Sequence, residues 1–441
     1  MSSPRLLFLL NPGRQSRHYI QGLARAAERL RIPFASLEMQ DVWDRTAANN
    51  PAAYEAIQTQ LANFIRTKGI THALGYAHNG VADFGLIRNG QGPARPVLTE
   101  LGVKHFLLWT DHPEWAAGAV GIQPPLRDIC RDPSLIHILK SPAAATEASQ
   151  ILNWPNVISM PMAEDYDQLP PATGITPIHD VVAIMGDCQP FPQVLNQFLT
   201  HEDPDPQALD QLLHPVALDR FLSLNPDQTA LAKAWLEAKA VNPDRSFASL
   251  ALGSPTRHSA LGTQHLPSLS HLRSNPQLWY SSITALRTAT AWRRFFWPAW
   301  LARRVNVGIY GSSSAPMNIP HQPEAANWVP YEQQPAIYAR GKMALNTNAA
   351  HDEEGLTHKP FQIAASNTPL LHHHTRGLSD CFIPTQEVLT FTRGPELLDQ
   401  VRSLSESPSR RAFLAEALHA RARQDHTWDQ RLQGLLSQFP H

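Results

Sequence analysis

The sequence predicts an α/β protein built from two parallel-sheet domains in tandem, the second carrying a helical insertion. Three observations predict it. Short apolar runs alternate with amphipathic helical stretches from the first residues onward, the pattern of a parallel sheet covered by helices on both faces. The alternation then restarts after a proline-rich linker, LPPATGITPIHD (Leu169–Asp180). Finally, 441 residues exceed the size at which a single core usually keeps growing.

The elements follow in order. LLFLL (Leu6–Leu10) is a buried strand ending in Asn11-Pro12-Gly13, RHYIQGLARAAERLRI repeats its apolar residues at helical spacing, and PFASLEM is strand-like again. A helix from about Pro51 to Thr67 leads to the strand THALGYA, the short helix VLTELG and the strand KHFLLWTD; LIHILK and NVISMPM add two more apolar runs. The first domain is assigned residues 1–172. VVAIMGD (Val181–Asp187) opens the second, assigned 178–410. Residues 191–300 are helical and punctuated by proline, more than a bare αβ repeat requires, and read as the insertion. RVNVGIYG, KMALNTN, PLLHHH and VLTF continue the strand series. Residues 411–441 form C-terminal helices expected to pack back on the first domain. No short-period repeat is present.

Composition excludes several classes. With 37 basic and 38 acidic residues the net charge is -1, so the chain lacks the electrostatic footprint of a general nucleic-acid binder. Cys130, Cys188 and Cys381 are few, odd in number and far apart, which fits a reducing compartment and a cytoplasmic location. The first apolar run, five residues long, is shorter than the core of a secretory signal. No stretch reaches the roughly 18 uninterrupted apolar residues of a membrane span. WRRFFWPAWLARR (292–304) mixes aromatics with arginines. It reads either as a core helix bent at Pro298 or as an interfacial helix, the latter implying peripheral contact with the inner face of a membrane.

In open parallel sheets, ligands bind outside the carboxyl ends of the strands, so two such domains facing across a cleft suit an enzyme with two substrates. The informative stretch is LNTNAAHDEEGLTHKPFQIAASNTPLLHHHTRGLSDCF. Strand residues give way to an acidic loop, after which Thr357 is placed to cap a helix with Pro360 in its first turn. The amino end of that helix would direct free N–H groups toward a phosphate, and Lys359 would add a full charge. Glu354 could accept hydrogen bonds from sugar hydroxyls, and Gln362 offers an amide to a ribose or a base. Anion donors beside hydroxyl acceptors suit a sugar nucleotide.

This region resembles a known family. Leu345-Asn346, Glu354-Gly355-Leu356, Lys359, Phe361-Gln362, Ala365, Pro369-Leu370-Leu371, Gly377-Leu378, Phe382 and Glu387 are similar to the donor-binding half of GT-B glycosyltransferases of the CgeB-like, family 1/4 type. The likeness continues through Glu396-Leu397, Pro408-Ser409-Arg410-Arg411, His426-Thr427 and Arg431. It covers about the last hundred residues well, the preceding forty loosely, and the N-terminal half only in its α/β alternation. The resemblance implies two Rossmann-like domains, the first for the acceptor and the second for a nucleotide-sugar co-substrate, with no metal and no other cofactor. It also implies that Glu354 faces the sugar, with Gly355, Leu356, Thr357 and Lys359 around the donor. The family's second glutamate, on the ribose, is Gln362 here, eight residues on. Lys359 replaces the usual arginine, Ala365-Ser366-Asn367 replaces a small-Cys-Gly run, and GDCQPFPQ lacks the basic pair that retaining members often carry. Inverting and retaining mechanisms both stay open.

Further candidates follow from strand ends. Gly186 and Gly311 end strands of the second domain, where a nucleotide approaching the backbone would favour glycine, as would a tight turn. His372, His373 and His374 fall at the carboxyl end of a strand; alternation of neighbouring side chains opposes their converging on one metal ion, and His372 and His374 are candidate phosphate contacts. In the first domain His78, in GYAHNGVADFG, is a candidate base for the acceptor hydroxyl, against a structural histidine. Asp111, in LLWTDHPEW, is a second candidate, against a loop-shaping turn before proline. The leading expectation is a glycosyltransferase whose acceptor is open among protein, lipid, glycan and small molecule. A sugar-nucleotide epimerase of the same fold and a non-catalytic nucleotide-sugar-binding protein are the alternatives.

Overall fold

The computed structural model describes residues 3–48, 50–88, 94–110, 113, 128–169, 172, 174–185, 193–206, 208–213, 225–242, 245–251, 268–311, 329–348 and 352–440. The chain divides into two compact units: Met1–Met160 with Leu269–Gln277 and Trp428–His441, and Pro161–Ser268 with Leu278–Thr427. Each is a parallel-sheet α/β unit, the fold class the alternation predicts.

In the first unit the strands are β1 (Leu6–Leu10), β2 (Phe34–Glu38), β3 (His72–Tyr76), β6 (Lys104–Trp109), β7 (Leu135–Leu139) and β8 (Val157–Ser159), in the order β2-β1-β3-β6-β7-β8. All of their pairings are parallel. A two-stranded antiparallel ribbon, β4 (Leu86–Ile87) with β5 (Arg95–Pro96), lies in the connection from β3 to β6. Every residue of β1 is buried because helices cover both sheet faces, which is why LLFLL is continuous rather than alternating. Asn11-Pro12-Gly13 is explained locally. The Asn11 side-chain oxygen accepts from Gly13 N at 2.7 Å, and the Ser16 hydroxyl donates to Gly13 O, opening the helix Arg14–Arg29.

The second unit orders its strands β10-β9-β11-β12-β13, again all parallel: β9 (His179–Ile184), β10 (Val307–Tyr310), β11 (Gly341–Asn346), β12 (Leu370–His373) and β13 (Leu389–Phe391). Between β9 and β10 lie the helices of the insertion, among them Pro226–Val241, Phe247–Ala251, Pro276–Thr290 and Arg293–Ala302. Leu269–Gln277 belongs to the first unit, where the Arg273 guanidinium donates to Gln150 O at 2.7 Å and to its Oε1 at 2.8 Å.

The helix Arg293–Ala302 corrects the membrane-surface expectation for 292–304. Trp292, Phe295, Phe296, Trp297, Trp300 and Leu301 are buried in one cluster with Val181, Ile309, Leu345, Leu371 and Phe391. Two arginines of the 292–304 segment are engaged inside the unit as well. Arg293 pairs with Asp210, and Arg304 stacks on Trp300 at 3.9 Å while donating to Trp300 O and His201 O. An interfacial helix needs a free aromatic face, and this one has spent its face on the core. Among the described residues no helix is long and apolar enough to cross a membrane.

The C-terminal helices divide between the units. Gly394–Glu406 and Pro408–Asp425 stay with the second unit, whereas Trp428–Gln438 packs on Arg14–Arg29 in the first. Trp428 is fully buried, and a Cβ at Gly22 would sit 2.5 Å from its ring, so the glycine provides the groove the indole fills. Arg29 donates to Asp429 at the rim. Trp428→Ala is expected to destabilise the first unit by about 3 to 5 kcal/mol, the usual cost of deleting a buried aromatic. Denaturant melts check this, and a loss below about 1 kcal/mol would show that the helix contributes little.

Candidate functional site

Both sheets place their first strand inside and reverse direction of winding beside it, so each has a topological switch point, between β1 and β3 and between β9 and β11. In the second unit the carboxyl ends of β9 and β11 carry most of the candidate residues. At the end of β11 the buried Asn346 amide makes two contacts, to Thr357 Oγ1 at 3.3 Å and to His372 Nε2 at 2.9 Å. The Asn348 amide donates to Asp352 O at 3.0 Å and Gly355 O at 2.8 Å, which folds the acidic loop back on the strand.

Thr357 does not cap the helix. Its hydroxyl turns toward Asn346, and the cap of helix Lys359–Ala365 is His358, which already has helical dihedrals and gives no side-chain cap bond. The buried Asn346 amide needs an acceptor, and Thr357 is the group that satisfies it. The helix has seven residues, Pro360 has no N–H, and Phe361 N is used by His358 O at 3.1 Å. Its amino end therefore offers fewer donors than the sequence suggests. His358, which sequence reasoning overlooked, ties this end to the segment before it: Nε2 donates to Ala163 O at 2.9 Å and lies 3.1 Å from the buried Glu164 carboxylate.

Lys359 directs its ammonium to Ile184 O at the end of β9, across the switch point. Burial and then the nearby Arg294 guanidinium hold its pKa well below the ordinary lysine value. Thr347, just past β11, donates to Arg294 O at 2.8 Å and so fixes that residue's backbone beside the same edge. Gln362 is 1% exposed, and its Nε2 meets no hydrogen-bond partner among the described residues. A buried amide N–H of this kind costs free energy until an acceptor arrives.

The acidic loop is half-buried. Glu354 accepts from Ser246 N at 3.1 Å, while Glu353 accepts from Phe247 N at 3.1 Å and pairs with Lys239 at 3.2 Å and Arg287 at 3.6 Å. Leu356 is in the core, and Gly355 is pressed against Gly377, where a Cβ would come within 2.5 Å of the Gly355 carbonyl carbon. Gly311 has φ +108, and a Cβ there would lie 1.9 Å from Met185 O, so the chain's own close approach accounts for that glycine.

The three histidines separate, as strand alternation requires. His372 is fully buried and both ring nitrogens are engaged: Nε2 receives the Asn346 amide, and Nδ1 donates to His373 O. The phosphate contact expected of His372 is thus closed by internal bonding. His373 stacks on Trp297 with centroids 6.2 Å apart and meets Phe391 edge-on. His374 is exposed, its backbone N donating to Phe391 O.

In the first unit His78 is half-buried in the turn that follows β3, beside the β1/β3 switch point. Val81 N donates to His78 O, and Gly80 N to the Asp83 carboxylate at 2.7 Å. Below the turn lies the buried His105, whose Cε1 would be 2.9 Å from a Cβ at Gly80. Asp111 and Gly186 fall outside the described residues.

Comparisons bear on the second unit. Residues 287–437 match the family model described as glycosyl transferase-like, a span that contains Arg294, Glu354, Lys359 and Gln362. The chain matches none of the curated proteins. Solved structures similar to the whole chain include HepE from Anabaena in complex with UDP and glucose, 10% identical over 99% of this chain and 100% of that one, with a TM-score of 0.46. AviGT4, a glycosyltransferase involved in avilamycin A biosynthesis, is 11% identical over 99% and 96% with a TM-score of 0.45. Sucrose-phosphate synthase from Thermosynechococcus elongatus is 9% identical over 99% and 98%, also with a TM-score of 0.45.

Three fully buried histidines and the half-buried His373 set the acid response. Burial pushes His105 and His373 down to about 3 and His137 and His372 down to about 4, against 6.5 for a free imidazole. Folded-state values below the unfolded value mean stability that is full above about pH 6.5 and lost as pH falls toward 4. For His372 alone the shift corresponds to about 3 kcal/mol at most. Thermal melts are expected to show Tm falling from pH 7 to pH 5. His373→Phe, which keeps the packing on Trp297 and removes one titrating ring, should flatten part of that slope. A flat Tm over this interval would contradict neutral burial of these rings.

Proposed function

We propose that this chain is a glycosyltransferase that takes a sugar from a nucleotide-sugar donor held at the carboxyl edge of the second sheet. The observation that carries the reading is the Lys359 ammonium set on Ile184 O at the β9/β11 switch point, with the Arg294 backbone fixed beside the same edge by Thr347. Two like charges in a desolvated place oppose each other, and a diphosphate brought between them relieves that opposition while drawing Lys359 to its charged form. The match of residues 287–437 to a glycosyl transferase-like family supports the same class.

Roles follow from chemistry. Lys359 and Arg294 neutralise the diphosphate. Glu354 accepts from hexose hydroxyls, with Gly355, Leu356 and Thr357 shaping its loop. Gln362 donates its buried amide to a ribose or base oxygen. As the anomeric carbon–oxygen bond to the diphosphate breaks and the acceptor oxygen bonds to that carbon, negative charge gathers on the leaving phosphate, where the two cations stabilise it. The acceptor hydroxyl loses its proton, and His78, in the first unit, is the base assigned to take it. The buried thiol of Cys130 suits a reducing, cytoplasmic setting.

Calorimetry with a panel of UDP- and GDP-sugars tests the reading. Glu354→Ala is expected to weaken binding on the order of tenfold or more, the worth of a charge-assisted hydrogen bond or two. Lys359→Met should weaken binding similarly and, by removing an ammonium from beside Arg294, raise the Tm of the free protein. Donor binding that survives both substitutions unchanged, or no binding by the wild type across the panel, would reject the assignment. Release of nucleoside diphosphate that depends on added cell extract marks transfer, whereas release without an acceptor marks the epimerase-like alternative.

A further inference from the structure

The two adjacent carboxylates of the acidic loop serve one short turn of the helical insertion in different ways. Glu353 is caged: Lys239 at 3.2 Å, the buried Arg287 at 3.6 Å and the Phe247 N–H at 3.1 Å all converge on it. Lys239 also donates to Arg245 O and lies over the Phe247 ring at 5.3 Å, so the same cation fastens both sides of the turn. Among the described residues, Glu354 holds a single neutral donor, the Ser246 N–H at 3.1 Å. Ser246 is 1% exposed, and its Oγ accepts from Ser249 N, which keeps the turn tightly wound.

We propose that the turn Arg245–Ser249 is an internal plug, with the Ser246 N–H resting on Glu354 where a donor sugar hydroxyl would bond and Glu353 holding the plug in place. The proposal rests on the reading that Glu354 faces the sugar. A backbone N–H and a hydroxyl are comparable neutral donors to a carboxylate, so exchanging one for the other is nearly balanced, and the outcome is decided by how firmly the turn is held from elsewhere. That hold is Glu353 and its two cations. Donor entry then requires the turn to leave, and the free protein binds donor more weakly than its side chains alone would allow, by the fraction of time the turn is out. The insertion thus regulates the site from within the same unit.

Adjacent substitutions should therefore act in opposite directions. Glu353→Gln is expected to tighten binding of UDP-glucose or GDP-mannose, whichever the wild type takes, by several-fold, while Glu354→Ala weakens it. Lys239→Met, which leaves Arg287 on Glu353, should also tighten it and serves if Glu353→Gln folds poorly. Amide hydrogen exchange at Ser246 and Phe247 gives the direct readout: both are protected in the free protein and should exchange faster when donor is added. Donor binding with unchanged protection at these amides, or with no gain in affinity in either loosened variant, overturns the plug alone. Absence of nucleotide-sugar binding by the wild type and both variants overturns the donor reading and the plug with it.

Discussion

The ammonium of a half-buried lysine, bonded to a strand-end carbonyl, is the constraint around which the carboxyl edge of the second unit is arranged. Lys359 reaches Ile184 O because the acidic loop, folded back by Asn348 and capped by His358 rather than Thr357, delivers the helix Lys359–Ala365 to the gap between β9 and β11. The carbonyl meets one of the three ammonium protons, and Arg294 nearby makes the charged form more costly still. Such a place disfavours a bare positive charge. The surrounding bonds keep it so: Asn346, Thr357 and His372 satisfy one another and leave Lys359 and Gln362 as the groups with capacity to spare.

That division of labour explains how residues of one motif come to differ in role. Asn346, Thr357, Gly355 and His372 build the shape of the loop, whereas Glu354, Lys359 and Gln362 are the groups the proposed function assigns to a ligand. A structural polar group and a functional one share burial but differ in whether the fold completes their bonding. Gly311 illustrates the same point on the backbone, since Met185 O, rather than any ligand, occupies the space a side chain would need.

The architecture was largely legible because parallel strands buried on both faces read as unbroken apolar runs, and LLFLL, VVAI and MALN each appear in the structure as strands. The ribbon of Leu86–Ile87 with Arg95–Pro96 escaped notice, being two residues a side and carrying no alternation to detect. The aromatic helix at 292–304 was ambiguous for a physical reason: aromatics and arginines together suit a membrane surface and a core with polar exits equally, and only the burial of Trp297 and Trp300 separates them. In the candidate site, residue types were readable but partnerships were not. Nothing in HDEEGLTHKP indicates that Thr357 answers to Asn346, that His358 reaches Ala163, or that Glu353 and Glu354 meet an insertion more than a hundred residues upstream. Such pairings are set by loop closure over long separations, which local pattern does not encode.

The seating of Trp428 against Gly22 bears on how the protein is made. The helix Arg14–Arg29 leaves the ribosome some four hundred residues before the indole that fills its groove. Until then a strip of that helix is left unpaired, a surface on which a nascent chain can associate wrongly or recruit a chaperone. Vectorial folding, one completed domain after another, is therefore denied to the first unit.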